Sequence, residues 1–135
     1  MKQHVSSKQL GELSEKGKER LRKWWKKSGI HEGDLVVGPN KTSNDFLWLE
    51  EHLFQGGKLE TSYPLLSIGQ MVEFLDEKFK YLKLSHEWGA KRLGWRVSHI
   101  ESLNPYKPKN FPFSYGLVDA LWEAVKEVIE KGGKT

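Results

Sequence analysis

The stretch LVDALWEAVKEVIEKGG at residues 117–133 constrains the fold more than any other part of the chain. At about 100° per residue, Leu117, Val118, Leu121, Trp122, Val125, Val128 and Ile129 fall on one helical face. Asp119, Glu123, Lys126, Glu127 and Glu130 take the other face, and Gly132–Gly133 supplies a left-handed stop. A one-faced apolar helix carrying a tryptophan has to dock, so the chain must build a hydrophobic core. No comparably sharp pattern names a reaction or a ligand.

A length of 135 residues suits one core. The expectation is a frayed segment over 1–7 and a single domain over 8–135. The chain has no cysteine, which excludes disulfides, thiolate catalysis and cysteine-ligated zinc. No N-terminal apolar segment reads as a signal peptide and no run approaches a membrane span, so the expected location is cytoplasmic and no membrane partner is expected. Charge is unevenly placed. Residues 1–30 hold nine Lys/Arg against three Glu, whereas residues 31–135 hold thirteen against fifteen acids. The basic character therefore resides in an N-terminal arm, the one segment with an electrostatic argument for a polyanion.

Residues 8–28 read as one amphipathic helix. Leu10, Leu13, Gly17, Leu21, Trp24 and Trp25 share a face, with Lys16, Arg20, Lys23 and Lys27 opposite. Ser14 is an alternative, later N-cap. Gly29 and Ile30 suit a Schellman stop. Leu35–Val37 and Phe46–Leu49 read as strands about the turn-rich segment 38–44, and Gly56–Gly57 breaks the chain again. Ser67 and Gln70 form an S-x-x-Q capping box, with Leu66 placed to staple onto Met71. Ile68, Met71, Val72, Leu75 and Phe79 then give the buried face of a helix ending near Lys80. Alternation at Leu82, Leu84 and His86, and at Trp95, Val97 and His99, predicts two strands with Gly89–Gly94 as the turn. The three prolines of residues 103–113 predict a loop, and Ser114 is a candidate cap for the last helix. The order α-β-β-α-β(-β)-α implies an α+β domain with helices packed on a mostly antiparallel sheet.

Few constellations offer chemistry. GPNKTS at 38–43 lacks the glycine that a phosphate loop needs directly before its lysine. His31–Glu32 and His86–Glu87 do not complete H-E-x-x-H, because Leu35 and Ala90 stand where the second histidine belongs. His86, Glu87, His99 and Glu101 would converge only if their strands pair, and a solvated sheet face is the plainer reading. The chain has no nucleophile elbow. No cofactor, metal site or catalytic residue is therefore assigned. The segment KGKERLRKWWKK carries the most direct functional reading. Lys16, Arg20, Lys23 and Lys27 can neutralise phosphates, and Trp24 and Trp25 can stack on bases or fill a partner groove. Against that, burying an indole stabilises by about 4–6 kcal/mol as an upper figure, so docking of both on the domain's own core is expected.

GDLV at 33–36, FLWL at 46–49, PLLSIGQMVEFL at 64–75, GWRVS at 94–98 and ALWEAVKEV at 120–128 together resemble small proteins encoded by phages and prophages of Gram-positive bacteria. The resemblance implies a mobile-element origin and an accessory role, and carries over no site residue. The resulting expectation is a non-enzymatic interaction module for a protein or nucleic-acid partner. The alternatives are a nucleic-acid-binding domain using residues 16–27, and a small enzyme or metal site around His86 and His99.

Overall fold

The computed structural model describes residues 3–28, 35–37, 46–48, 63–103 and 105–131. Gly29 and Ile30, His31 and His52, the turn at 38–44, Gly56–Gly57 and Gly132–Gly133 lie outside these residues, as does the side chain of Trp48. The fold is α+β, with helices and antiparallel sheets. Backbone contacts divide the chain into two compact units, one of residues 4–67 with 129–134 and the other of residues 68–128 with the first three residues.

The N-terminal unit begins with α1 (Ser7–Leu10) and α2 (Glu15–Ser28). Residues 8–28 therefore do not form one helix; the later start at Ser14 is the one adopted. The Gly17 amide donates to the Ser14 hydroxyl at 3.0 Å, satisfying a donor that a continuous helix would have used internally. A capping box that the sequence reading missed starts α1: Ser6 N–H donates to Gln9 Oε1 and Gln9 N–H to Ser6 Oγ, both at 3.1 Å. Leu10, Leu13, Leu21 and Trp25 are buried. β1 (Leu35–Val37) pairs antiparallel with β2 (Phe46–Trp48), two strands expected on either side of the turn-rich segment, and with β3 (Tyr63–Pro64), giving the order β2-β1-β3. Tyr63 ties β3 to α2, its ring lying under the Arg22 guanidinium at 4.0 Å.

The C-terminal unit begins at α3 (Ile68–Lys78), which starts directly after Ser67 as its capping signature predicts. Met71, Phe74 and Leu75 are its buried face. β4 (Leu82–Trp88), β5 (Leu93–Leu103) and β6 (Tyr106–Asn110) form an antiparallel sheet in that order. α4 (Leu117–Glu130) closes the chain, with Leu121, Trp122 and Val125 buried as its pattern requires.

Residues 106–110 are a strand, not a loop: Pro108 is opposite Ile100 on the edge strand, where a missing N–H costs no ladder bond on its outer side. The pairing shifts register between Ile100 and Ser102. Nor does Ser114 cap α4. Its backbone exchanges two hydrogen bonds with Trp95, at 2.7 and 3.0 Å, while the Gly116 carbonyl accepts the first helical bond from Ala120.

Candidate functional site

The basic face expected on α2 divides when each side chain is placed. Lys16, Lys23 and Lys27 are exposed, and Trp24 is half-buried. Trp25 is fully buried, so it has no free ring face for a base. Arg20 donates to the Ile129 carbonyl at 2.8 Å, placing a cation at the negative end of α4. Three lysines thus remain for a partner, without an indole fully open beside them.

His86 and His99 are not brought together as a metal site. His86 pairs with Trp95 and stacks on it at 4.4 Å between ring centroids, whereas His99 pairs with Leu82 and stacks on Phe79 at 3.9 Å. Burial pushes the His99 imidazole below its ordinary value, with Lys109 acting in the same direction and Glu101 and Glu127 opposing. Glu87 points to the other face, where Arg96 donates to it at 3.1 Å. Among the described residues, no group of three or more His, Cys, Asp or Glu side chains is arranged to hold a metal.

The surface with the most unusual exposure is the hairpin end of β4 and β5. Register puts Leu84, His86 and Trp88 on one face with Val97, Trp95 and Leu93. Near α3 this face is buried, with Val97 and His99 covered and Phe79 and Phe111 packed around His99. Towards the turn it opens. Trp88 is 77 % exposed, Leu93 39 % and Leu84 37 %. An indole bared to this degree forgoes several kcal/mol of burial.

The opposite face of the same hairpin end is rigidly packed. Gly89 and Gly94 leave room for rings: a Cβ on Gly89 would sit 2.7 Å from Phe113 and 2.9 Å from Tyr115, and one on Gly94 2.7 Å from the Ser114 carbonyl oxygen. Phe113 and Tyr115 meet edge to face at 5.2 Å. The Arg92 guanidinium lies 4.6 Å over Tyr115, and the Tyr115 hydroxyl accepts from the Lys91 amide at 3.1 Å. Arg96 also donates to the Phe111 carbonyl at 3.1 Å. The turn is closed by Gly89 N–H donating to Arg92 C=O at 2.8 Å. Trp88 and Leu93 are therefore held on a braced support.

The sequence reading singled out none of Trp88, Leu93 or Leu84 as contact residues, although their signal was present. The alternation LKLSHEW extends to Trp88, at a strand end with no apolar partner left to cover it. The charge signal was averaged away: residues 80–110 hold seven Lys/Arg against two Glu, but nine acids over 31–79 cancel them in any half-chain count. No described helix is long and apolar enough to cross a membrane. No protein-family model matches the chain, and neither a curated protein nor a solved structure matches it.

Proposed function

We propose that the protein is a non-enzymatic interaction module, an accessory protein of the kind its resemblance to phage-encoded proteins implies, and that it contacts a macromolecular partner through the β4–β5 hairpin end. One observation carries this reading: an indole 77 % exposed beside two exposed leucines, on a hairpin whose other face is fixed by aromatic and arginine packing. Binding surfaces are enriched in tryptophan because a rigid ring gives much contact area for little lost freedom. No described cluster of titratable groups competes with this patch as a reactive centre.

The test is site-specific photo-crosslinking in the cells that express the protein. A benzophenone side chain at Leu93 should yield an adduct of fixed mass, lost when Trp88→Ser is added. The same group at Glu73, exposed on α3, should yield none. Absence of any adduct particular to position 93 defeats the proposal.

A further inference from the structure

β4, with the sequence LKLSHEW, is an edge strand of its sheet, and its outer edge is open. Ile100 N–H donates to the Tyr81 carbonyl at 3.2 Å, and Gly89 N–H to the Arg92 carbonyl at 2.8 Å. In the register that pairs Lys83 with Ser98, Ser85 with Arg96 and Glu87 with Gly94, the odd-numbered residues therefore direct their backbone groups to β5. Leu82, Leu84, His86 and Trp88 turn their N–H and C=O outward, and among the described residues nothing hydrogen-bonds these groups. The opposite edge is β6, where Pro108 between two lysines obstructs pairing with another strand. β4 carries no such block.

The open edge is complementary to itself. With two copies of β4 antiparallel about a two-fold axis at Ser85, Lys83 is opposite the partner's Glu87 on both sides of the axis. Leu82 is then opposite the partner's Trp88, and Leu84 opposite the partner's His86. All four outward residues meet in hydrogen-bonded pairs. An axis at Leu84 would set Lys83 against Ser85 and Glu87 against Tyr81. One at His86 would set Lys83 against Gly89 and Glu87 against Ser85. Each loses both charge pairs and one hydrogen-bonded pair. Opposite charges directly across two strands stabilise their pairing, and like charges oppose it. Lys83 is exposed and, among the described residues, has no carboxylate partner. Glu87 gives one oxygen to Arg96 and stays 40 % exposed, which leaves the other oxygen for a second cation.

Resting on the reading of this hairpin as a contact surface, we infer that its partner is a second copy of this chain, joined through β4 into one antiparallel sheet with the two-fold axis at Ser85. Strand alternation separates the two contributions. Lys83 and Glu87 form ion pairs on one face of the joined strands. On the other face, exposed Leu84 and Trp88 meet His86 and Leu82 of the second copy.

The register can be tested directly, because the chain has no cysteine and Ser85→Cys introduces one thiol whose disulfide can only join two copies. Residues opposite each other in a non-hydrogen-bonded pair have Cα atoms about 4.5 Å apart, within disulfide reach. Mild oxidation should turn most of the Ser85→Cys chain into covalent dimer, whereas Lys91→Cys, exposed in the turn, should give little. Sedimentation equilibrium of the unmodified whole chain should show a reversible dimer. Leu84→Pro removes an outward N–H and no bond to β5, so it should give monomer with an unchanged far-ultraviolet spectrum. Lys83→Glu should weaken the dimer about tenfold, and mixing it with Glu87→Lys should restore pairing to within about threefold of the unmodified chain. Should Leu84→Pro or Glu87→Lys unfold in that spectrum, the disulfide and Lys83→Glu decide between the outcomes. A chain that stays monomeric at every concentration, a dimer indifferent to Lys83→Glu, or equal disulfide yield at positions 85 and 91 would each overturn the inference. A crosslink at position 93 that adds the mass of one further chain supports it. An adduct of any other mass on a monomeric chain leaves the contact surface standing and removes the second copy; if neither dimer nor adduct forms, both readings fail.

Discussion

At the scale of single residues, side chains with one obvious job in the sequence have another in the fold. Arg20 reads as a phosphate contact and instead neutralises the carbonyl end of a helix. Gly89 and Gly94 read as turn formers, yet Gly94 lies within a paired strand and is small because Phe113 and the Ser114 carbonyl approach its Cα. Sequence shows a missing side chain but not what fills the space, so the first reading defaults to a turn. Gly94→Ala should therefore cost about 1–3 kcal/mol by overpacking against backbone and a braced ring. Urea unfolding measures it. A loss below about 0.5 kcal/mol would mean that the ring moves aside freely and that the brace is not rigid.

Among the elements, legibility follows period and end signals. α4 and α3 are plain because a wide apolar stripe at helical spacing has no competing solution, and β4 and β5 because alternation places Val97 and His99 inward together. β6 is hidden because lysine and proline are poor strand residues. On an edge, those same residues are useful: Lys107, Pro108 and Lys109 discourage pairing with a second chain. The break between α1 and α2 is a contest between helix continuation through Gly11 and capping by Ser14, and the cap wins with help from elsewhere. The Ser14 hydroxyl also donates to Glu130 Oε1 at 2.8 Å. Ser14→Ala should thus cost about 1 kcal/mol, near the centre of the range for lost caps. Glu130→Gln in the same background should add little, since the partner hydroxyl is already gone. Additive losses in the double variant would show that Ser14 and Glu130 act separately.

At the scale of the whole molecule, one buried imidazole singles out the C-terminal unit. The basic character of the sheet was illegible at this scale because net charge sums along the chain: the seven Lys/Arg of residues 80–110 and the nine acids of residues 31–79 cancel in sequence order. His99 belongs to the C-terminal unit alone, stacked on Phe79, with Lys109 and Glu127 joined beside it at 3.2 Å. Its pKa is lowered by burial, so the unfolded chain binds the proton more readily than the folded one. The resulting stability is present in full above the unfolded value of about 6.5 and is lost as pH falls through the folded value. Acidification from about pH 7.5 to 5.5 should therefore loosen the C-terminal unit first. Hydrogen exchange, corrected for intrinsic rate, should show protection falling in residues 93–103 and 106–110 while residues 15–28 hold theirs. His99→Gln should lower protection in those strands at pH 7.5 and remove most of its pH dependence, because glutamine loses the stacking ring and has no proton to gain. Strand protection that is flat with pH in the unmodified protein, or equally steep in His99→Gln, would assign the acid sensitivity to other groups.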